Sequence, residues 1–289
     1  MRRFIRSLAL LLVAGLLLQG CSAVRLGYGN ADSLARWWID QYLDLSPEQD
    51  ALARERLAGF HAWHRKSQLP DYVAVLRQGQ MFVSGQPTAA DALALGDGII
   101  RRGRILAEQA TPDIADFLAT VTPAQIERMT AHTAERNTDH AKEAQLADGE
   151  DGQRKARYKR LLERAEYWFD DFSSEQKAAL RQLVDAQSAG SQFWYEERLR
   201  RQREWLDLVR QVQRDRPPRE RIIQLLRAYA ARFDLPGDPA RLAQAVALRR
   251  ASAELAVAIH ALTTPAQRAH AEHKLGELMR DFTELSQQG

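Results

Sequence analysis

Behind the first two dozen residues, apolar positions recur every third or fourth place, the period at which side chains return to one face of an α-helix. After Ser46, the residues Leu52, Ala53, Leu57, Phe60 and Trp63 fall on one stripe, which predicts a helix that turns this face to a core. From Gln192 to Val212, the apolar residues Trp194, Trp205, Leu206, Leu208, Val209 and Val212 stand amid heavy charge and predict one long helix at the edge of a bundle. No stretch alternates strictly between hairpin turns, and Val and Ile are sparse beside Ala, Leu, Arg, Gln and Glu, which form helices well. The pattern predicts an all-α fold, an elongated multi-helix bundle.

The helix starts are written more sharply than the helices. Four times a hydroxyl residue is followed three places later by Gln: Ser46 and Gln49, Thr122 and Gln125, Ser173 and Gln176, Thr264 and Gln267. Each is a capping box, in which the hydroxyl accepts from an otherwise orphaned amide of the first turn and the Gln side chain reaches back to the cap residue. The unequal offsets of 76, 51 and 91 residues argue against a solenoid of one fixed period. Thr88 and Thr111-Pro112 predict two further starts, whereas Pro70, Pro87, Pro217-Pro218 and the segment 235–239 predict stops or turns. These marks give nine to eleven helices. The acidic, glycine-bearing stretch Ala147 to Lys155 predicts a loop or hinge, and divides the body into helical halves at 32–147 and 148–289.

Residues 1–20 follow a different logic. Arg2, Arg3 and Arg6 precede an apolar run, Leu8 to Leu18, that is too short for a spanning helix, which needs about 20 residues; it reads as a signal peptide. The run ends in Leu18-Gln19-Gly20-Cys21, which resembles a lipobox, although Gln19 stands where a small residue is usual. Cys21 is the single cysteine of the chain, so a disulfide within the monomer is impossible and lipid attachment at Cys21 is the expectation. A plain signal peptide and an uncleaved anchor are the alternatives. Residues 21–31 then serve as lipidated N-terminus and tether. By resemblance to Gram-negative lipoproteins, Ser22 in place of Asp implies the outer membrane, on its periplasmic face.

Charge changes the picture once the signal is set aside. The sequence pI near 9.1 suggests nucleic acid, but without the three signal arginines the body carries 38 basic and 38 acidic residues. Nucleic-acid binding draws on a basic face, so that class is excluded. The basic cluster Arg198, Arg200, Arg201 and Arg203 reads as a solvated helix face, with Glu196 to Arg200 and Glu197 to Arg201 pairs expected.

Catalytic patterns are missing. There is no Gly-rich phosphate loop, no Gly-x-Ser-x-Gly, no His-Glu-x-x-His and no Glu-x-x-His, so neither an enzyme nor a cofactor is expected. His61 with His64, and His270 with His273, stand three apart and supply at most two zinc ligands each, against a blander structural role. Asp170-Asp171 and Asp40 with Asp44 read as helix-end charge rather than acid/base pairs. Trp37-Trp38 and Trp194-Tyr195 are candidates for an apolar client-binding groove, or for core.

Several segments carry a family resemblance: Leu26 to Asp32, Trp37 to Gln49, Trp63-His64-Arg65 before Leu69-Pro70, Asp116 to Ala119 before Thr122-Pro123, and Glu166-Tyr167-Trp168 before Ser173. Together they resemble a proteobacterial lipoprotein family catalogued only as a domain of unknown function, over nearly the whole mature chain. The Ser/Thr-x-x-Gln starts are more remotely similar to small periplasmic chaperones of the LTxxQ class. The favoured reading is a tethered binding or scaffold protein of the periplasm, and the LTxxQ similarity implies a chaperone-like use of its helical surface. A structural accessory subunit of an envelope complex is the alternative, and a metal-handling protein a third reading. The expected partners are the membrane, through the N-terminal lipid, and a protein or other envelope component.

Overall fold

The computed structural model describes residues 23–187, 190–234 and 236–288; the expected signal peptide, with Leu18, Gln19 and Gly20, and the expected lipid-attachment residue Cys21 lie outside the described residues. Within them the chain is all-α, with eleven α-helices and no strand. The first five are α1 (Ala23–Gly29), α2 (Ala31–Leu43), α3 (Pro47–Ser84), α4 (Ala89–Leu118) and α5 (Pro123–Glu143). After a 3-10 turn (Leu146–Asp148) come α6 (Gly149–Phe169), α7 (Ser174–Asp185), α8 (Ser191–Asp215), α9 (Arg219–Phe233), α10 (Pro239–Leu262) and α11 (Pro265–Gln287).

All four hydroxyl-x-x-Gln segments start helices by the expected mechanism. In each, the Ser or Thr oxygen accepts from the backbone amide of the Gln, and the Gln side chain accepts from the backbone N–H of the cap residue. Thr88 and Asp91 make the same reciprocal pair ahead of α4. Two proline expectations fail. α3 runs through Pro70 for 38 residues, about 57 Å at the helical rise, and Thr111-Pro112 lies inside α4 rather than at its start. An interior proline costs about 3 kcal/mol. Here the flanking residues offset it: Leu69, Thr111 and Ala115 are buried, and the Thr111 hydroxyl donates to the Ala107 carbonyl at 2.7 Å.

The stretch expected to be a hinge is instead the 3-10 turn running directly into α6. Gly149 sits at φ 66°, a region that favours glycine. At Gly152 a Cβ would lie 2.3 Å from Asp148 Cβ. The composition that reads as flexible is used for a tight reversal. Helices from either side of residue 147 intermesh: α3 lies along α11, α4 against α9 and α10, and α5 against α8. The largest core cluster accordingly joins Leu43, Ala115, Leu118, Ile126 and Met129 to Leu206, Val209, Val212, Ile222 and Leu226. A second cluster forms where α6, α7 and α10 meet, around Phe172, Leu180, Val184 and Ile259.

The capping glutamines also lock pairs of helix starts together. Gln49 and Gln125 face each other, each amide nitrogen donating to the other's oxygen at 3.1 and 2.6 Å. Gln49 Nε2 also donates to the Thr120 carbonyl, and Gln125 Nε2 to the Asp44 carbonyl. Gln176 and Gln267 repeat the joint at 2.7 and 3.3 Å, and their further bonds go to the carbonyls of Leu262 and Asp171. In both joints that carbonyl lies two residues before the opposite cap. Asp44-Leu45-Ser46-Pro47-Glu48-Gln49 parallels Asp171-Phe172-Ser173-Ser174-Glu175-Gln176, and the other two caps share Thr-Pro-Ala-Gln. One joint has therefore been built twice, in the same register.

Candidate functional site

Between α2, α3, α4, α5 and α8 lies a cavity of about 620 Å³, partly open to solvent. Its walls are apolar. Leu57 and Phe60 face it from α3, Ile114 and Phe117 from α4, Met129 from α5 and Trp205 from α8, while Ala53 and Ala110 supply the small side chains beside which the space opens. The stripe that the sequence marks as core is thus largely cavity wall, since Ala53 is its one fully buried member.

Charge is confined to Arg56, Asp113 and Arg198. Arg56 stands 3.7 Å from Asp113 and 3.5 Å from Asp116, and Arg198 donates through Nε to Asn137 Oδ1 at 2.9 Å. Trp38, more than half exposed, marks the rim. A larger and more polar depression, about 760 Å³, lies over the Gln49–Gln125 joint. Its glutamine amides are already spent on each other and on nearby carbonyls. The apolar cavity is therefore the candidate site: its volume falls in the range of about 300–1,000 Å³ typical of ligand pockets.

The family of unknown function DUF6279 matches residues 41–232, well over half of the chain. This chain belongs to the DUF6279 family. No curated protein and no solved structure matches it. The matched span of the DUF6279 chain includes the Gln49–Gln125 joint and every wall residue of the cavity except Trp38 and Ile39.

The DUF6279 chain places its remaining candidate residues apart from this cavity. His64 sits between two tyrosines, with Tyr28 Oη 2.8 Å from Nδ1 and Tyr72 Oη 3.1 Å from Nε2. His61 packs against the Tyr28 ring, centroids 4.6 Å apart. Burial holds both histidines below their ordinary range, aided at His61 by Arg65 and at His64 by His61. This cluster fastens α1 to α3. His273 is exposed and lies 3.3 Å from Glu277 on α11. The two histidine pairs are not brought together: Arg65 reaches the Gln288 carbonyl near the end of α11, whereas Gln80 reaches Glu272. Among the described residues, no group of three or more His, Cys, Asp or Glu is arranged to hold a metal ion.

The aromatic pairs also separate. Trp194 lies beside Gly190 and Leu248 in a depression of about 300 Å³, and Tyr195 stacks on His140 at 6.0 Å. Trp37 and Trp38 are exposed on α2. The expected pairs of the basic cluster are corrected: Arg200 bonds Glu197 and Glu204, Glu196 bonds Arg241, and Arg201 lies over the Phe233 ring. Glu197 is buried between Arg200 and Arg241, both at 2.7 Å. Burial raises its carboxyl, but the two guanidinium bonds outweigh that and hold it below the usual range.

Proposed function

We propose that this DUF6279 protein is a lipid-anchored binding protein of the bacterial envelope, tethered through Cys21 on the periplasmic face of the outer membrane, whose cavity takes an apolar group of an envelope component. The observation that carries the binding role is the 620 Å³ apolar cavity with its charge confined to three residues. The anchor rests on the lipobox-like Leu18-Gln19-Gly20-Cys21 and the single cysteine. No described helix is long and apolar enough to cross a membrane. The resemblance to LTxxQ chaperones fits a role in holding apolar groups, and the Gln49–Gln125 joint suits it mechanically, because it ties together the starts of α3 and α5, two helices of the cavity wall.

The test is titration of the purified mature protein with the fluorescent apolar probe N-phenyl-1-naphthylamine, read through energy transfer from Trp38 and Trp205. Saturable micromolar binding is expected. Ala110→Phe, which fills the cavity from α4, should abolish it while leaving the circular dichroism and thermal transition in place. Binding unchanged in this variant would remove the cavity from the account.

A further inference from the structure

The exposed residues of α1, α2 and the joining Asn30 are Leu26, Gly27, Gly29, Asn30, Ser33, Leu34, Trp37, Trp38 and Gln41, none of them charged, in a chain with 41 basic and 38 acidic residues. In α2 they fall at the three- and four-residue spacing of one helix face. Asp44, one residue past α2, is the exposed acidic residue at its end. The charged residues of these helices turn the other way. Arg25 pairs with Asp281 and Glu284 of α11, Arg36 with Asp50 of α3 at 2.5 Å, and Asp40 accepts from the Leu45 backbone amide at 3.0 Å. Asp32 is half-buried. Leu26, Leu34, Trp37 and Trp38 are each more than half exposed.

We propose that the Leu34, Trp37 and Trp38 face lies in the headgroup region of a lipid bilayer, so that α1 and α2 are an interfacial contact as well as a tether. The inference rests on the lipid-anchor reading of Cys21. In sequence Cys21 stands two residues before Ala23, a reach of about 7 Å at most. Acyl chains fixed at that cysteine keep the start of α1 at the membrane surface, and α2 follows α1 directly after Asn30. Tryptophan suits that depth, since its ring is apolar while its N–H still finds a partner there. Because the face has no cationic residue, it selects no anionic headgroup: the surface it fits is zwitterionic, and the contact is insensitive to salt. Trp38 belongs both to this face and to the cavity rim. The mouth of the cavity therefore adjoins the bilayer, and an apolar group passes between the two without crossing water.

The native cysteine being acylated, Leu34→Cys gives the mature protein one free thiol for an environment-sensitive NBD dye, and Glu163→Cys on exposed α6 serves as control. The labelled proteins are reconstituted into phosphatidylcholine–phosphatidylethanolamine vesicles carrying a headgroup-depth spin label. The dye at 34 should blue-shift and be quenched, equally at about 0.1 M and 1 M salt, over which screening shortens from about 10 to 3 Å; the dye at 163 should not respond. Protein that floats with the vesicles while the dye at 34 stays in water overturns the interfacial contact and leaves the anchor standing. Shielding that follows protein concentration without vesicles assigns the face to a second copy and overturns it too. Should the protein fail to float, the anchor reading falls, and the face is judged on the Cys21→Ser chain with added vesicles. There quenching at 34 that drops about tenfold or more in partition with Trp37→Glu sustains the contact, and its absence overturns it.

Discussion

Replacing Gln49 by Ala removes one side chain and five hydrogen bonds. Its amide nitrogen donates to the Thr120 carbonyl, the Thr120 hydroxyl and Gln125 Oε1, each at 3.1 Å, and its oxygen accepts from Ser46 N at 3.1 Å and from Gln125 Nε2 at 2.6 Å. A hydrogen bond contributes about 1 kcal/mol net, and a buried polar group left alone costs about 1–3 kcal/mol. Thr120 is exposed and regains water, whereas Gln125 stays buried with two of its five side-chain hydrogen bonds gone. The loss should come to about 2–4 kcal/mol, or a fall in Tm of about 5–15 °C at this chain length.

The sharper measurement is a double-mutant cycle by urea denaturation. Gln49→Ala with Gln125→Ala should show coupling of about 1 kcal/mol or more, while Gln49→Ala with Gln267→Ala, from different joints, should be additive within about 0.5 kcal/mol. An additive Gln49 and Gln125 pair, or a single loss under about 0.5 kcal/mol, would refute the joint as a unit of stability.

Glu197→Gln should cost about 2–4 kcal/mol by thermal denaturation, since it uncouples Arg200 and Arg241 from a buried charge. The wild type has this carboxyl lowered from 4.5, so that contribution is present above 4.5 and fades as pH falls through the folded value; the variant should lack that acid-side slope. His61 and His64 are also lowered, from 6.5, because burial disfavours their charged forms, and stability should decline as pH drops below 6.5, with His64→Gln flattening the melting profile there. Gly152→Ala, which in an ordinary helix gains about 1 kcal/mol, should instead lower Tm, because the new Cβ meets Asp148 Cβ at 2.3 Å. Cys21→Ser should free the body from membranes on fractionation or leave the precursor uncut, and intact mass of the wild type should show lipid on residue 21; a variant that still matures and pellets with membranes would contradict the anchor.

Helix starts were legible because a cap is local: Ser46, Thr122, Ser173 and Thr264 announce themselves within four residues. Pro70 and Pro112 were not, since the rule against an interior proline is overridden by burial of the flanking Leu69, Thr111 and Ala115, and burial depends on which other helices pack there. The joints escaped notice because consecutive caps have unequal offsets, while the informative comparison is first with third and second with fourth, at 127 and 142 residues. The cavity is the least legible feature. Leu57 and Phe60 have the period of core residues, and whether a facing position holds Ala110 or something larger depends on which helix arrives there.

The pairing of α3 with α11 also sets an order of events. Leu76 and Val83 of α3 are covered by Ala271 and Leu275 of α11, yet 180 residues of chain separate the two helices. At ordinary rates of synthesis that gap is about 10–40 s, during which this face of the longest helix has no final partner. Contacts so distant along the chain close late and slowly. Newly made protein thus spends its first moments with an open seam, and whatever escorts it must shield that seam until the last two dozen residues arrive.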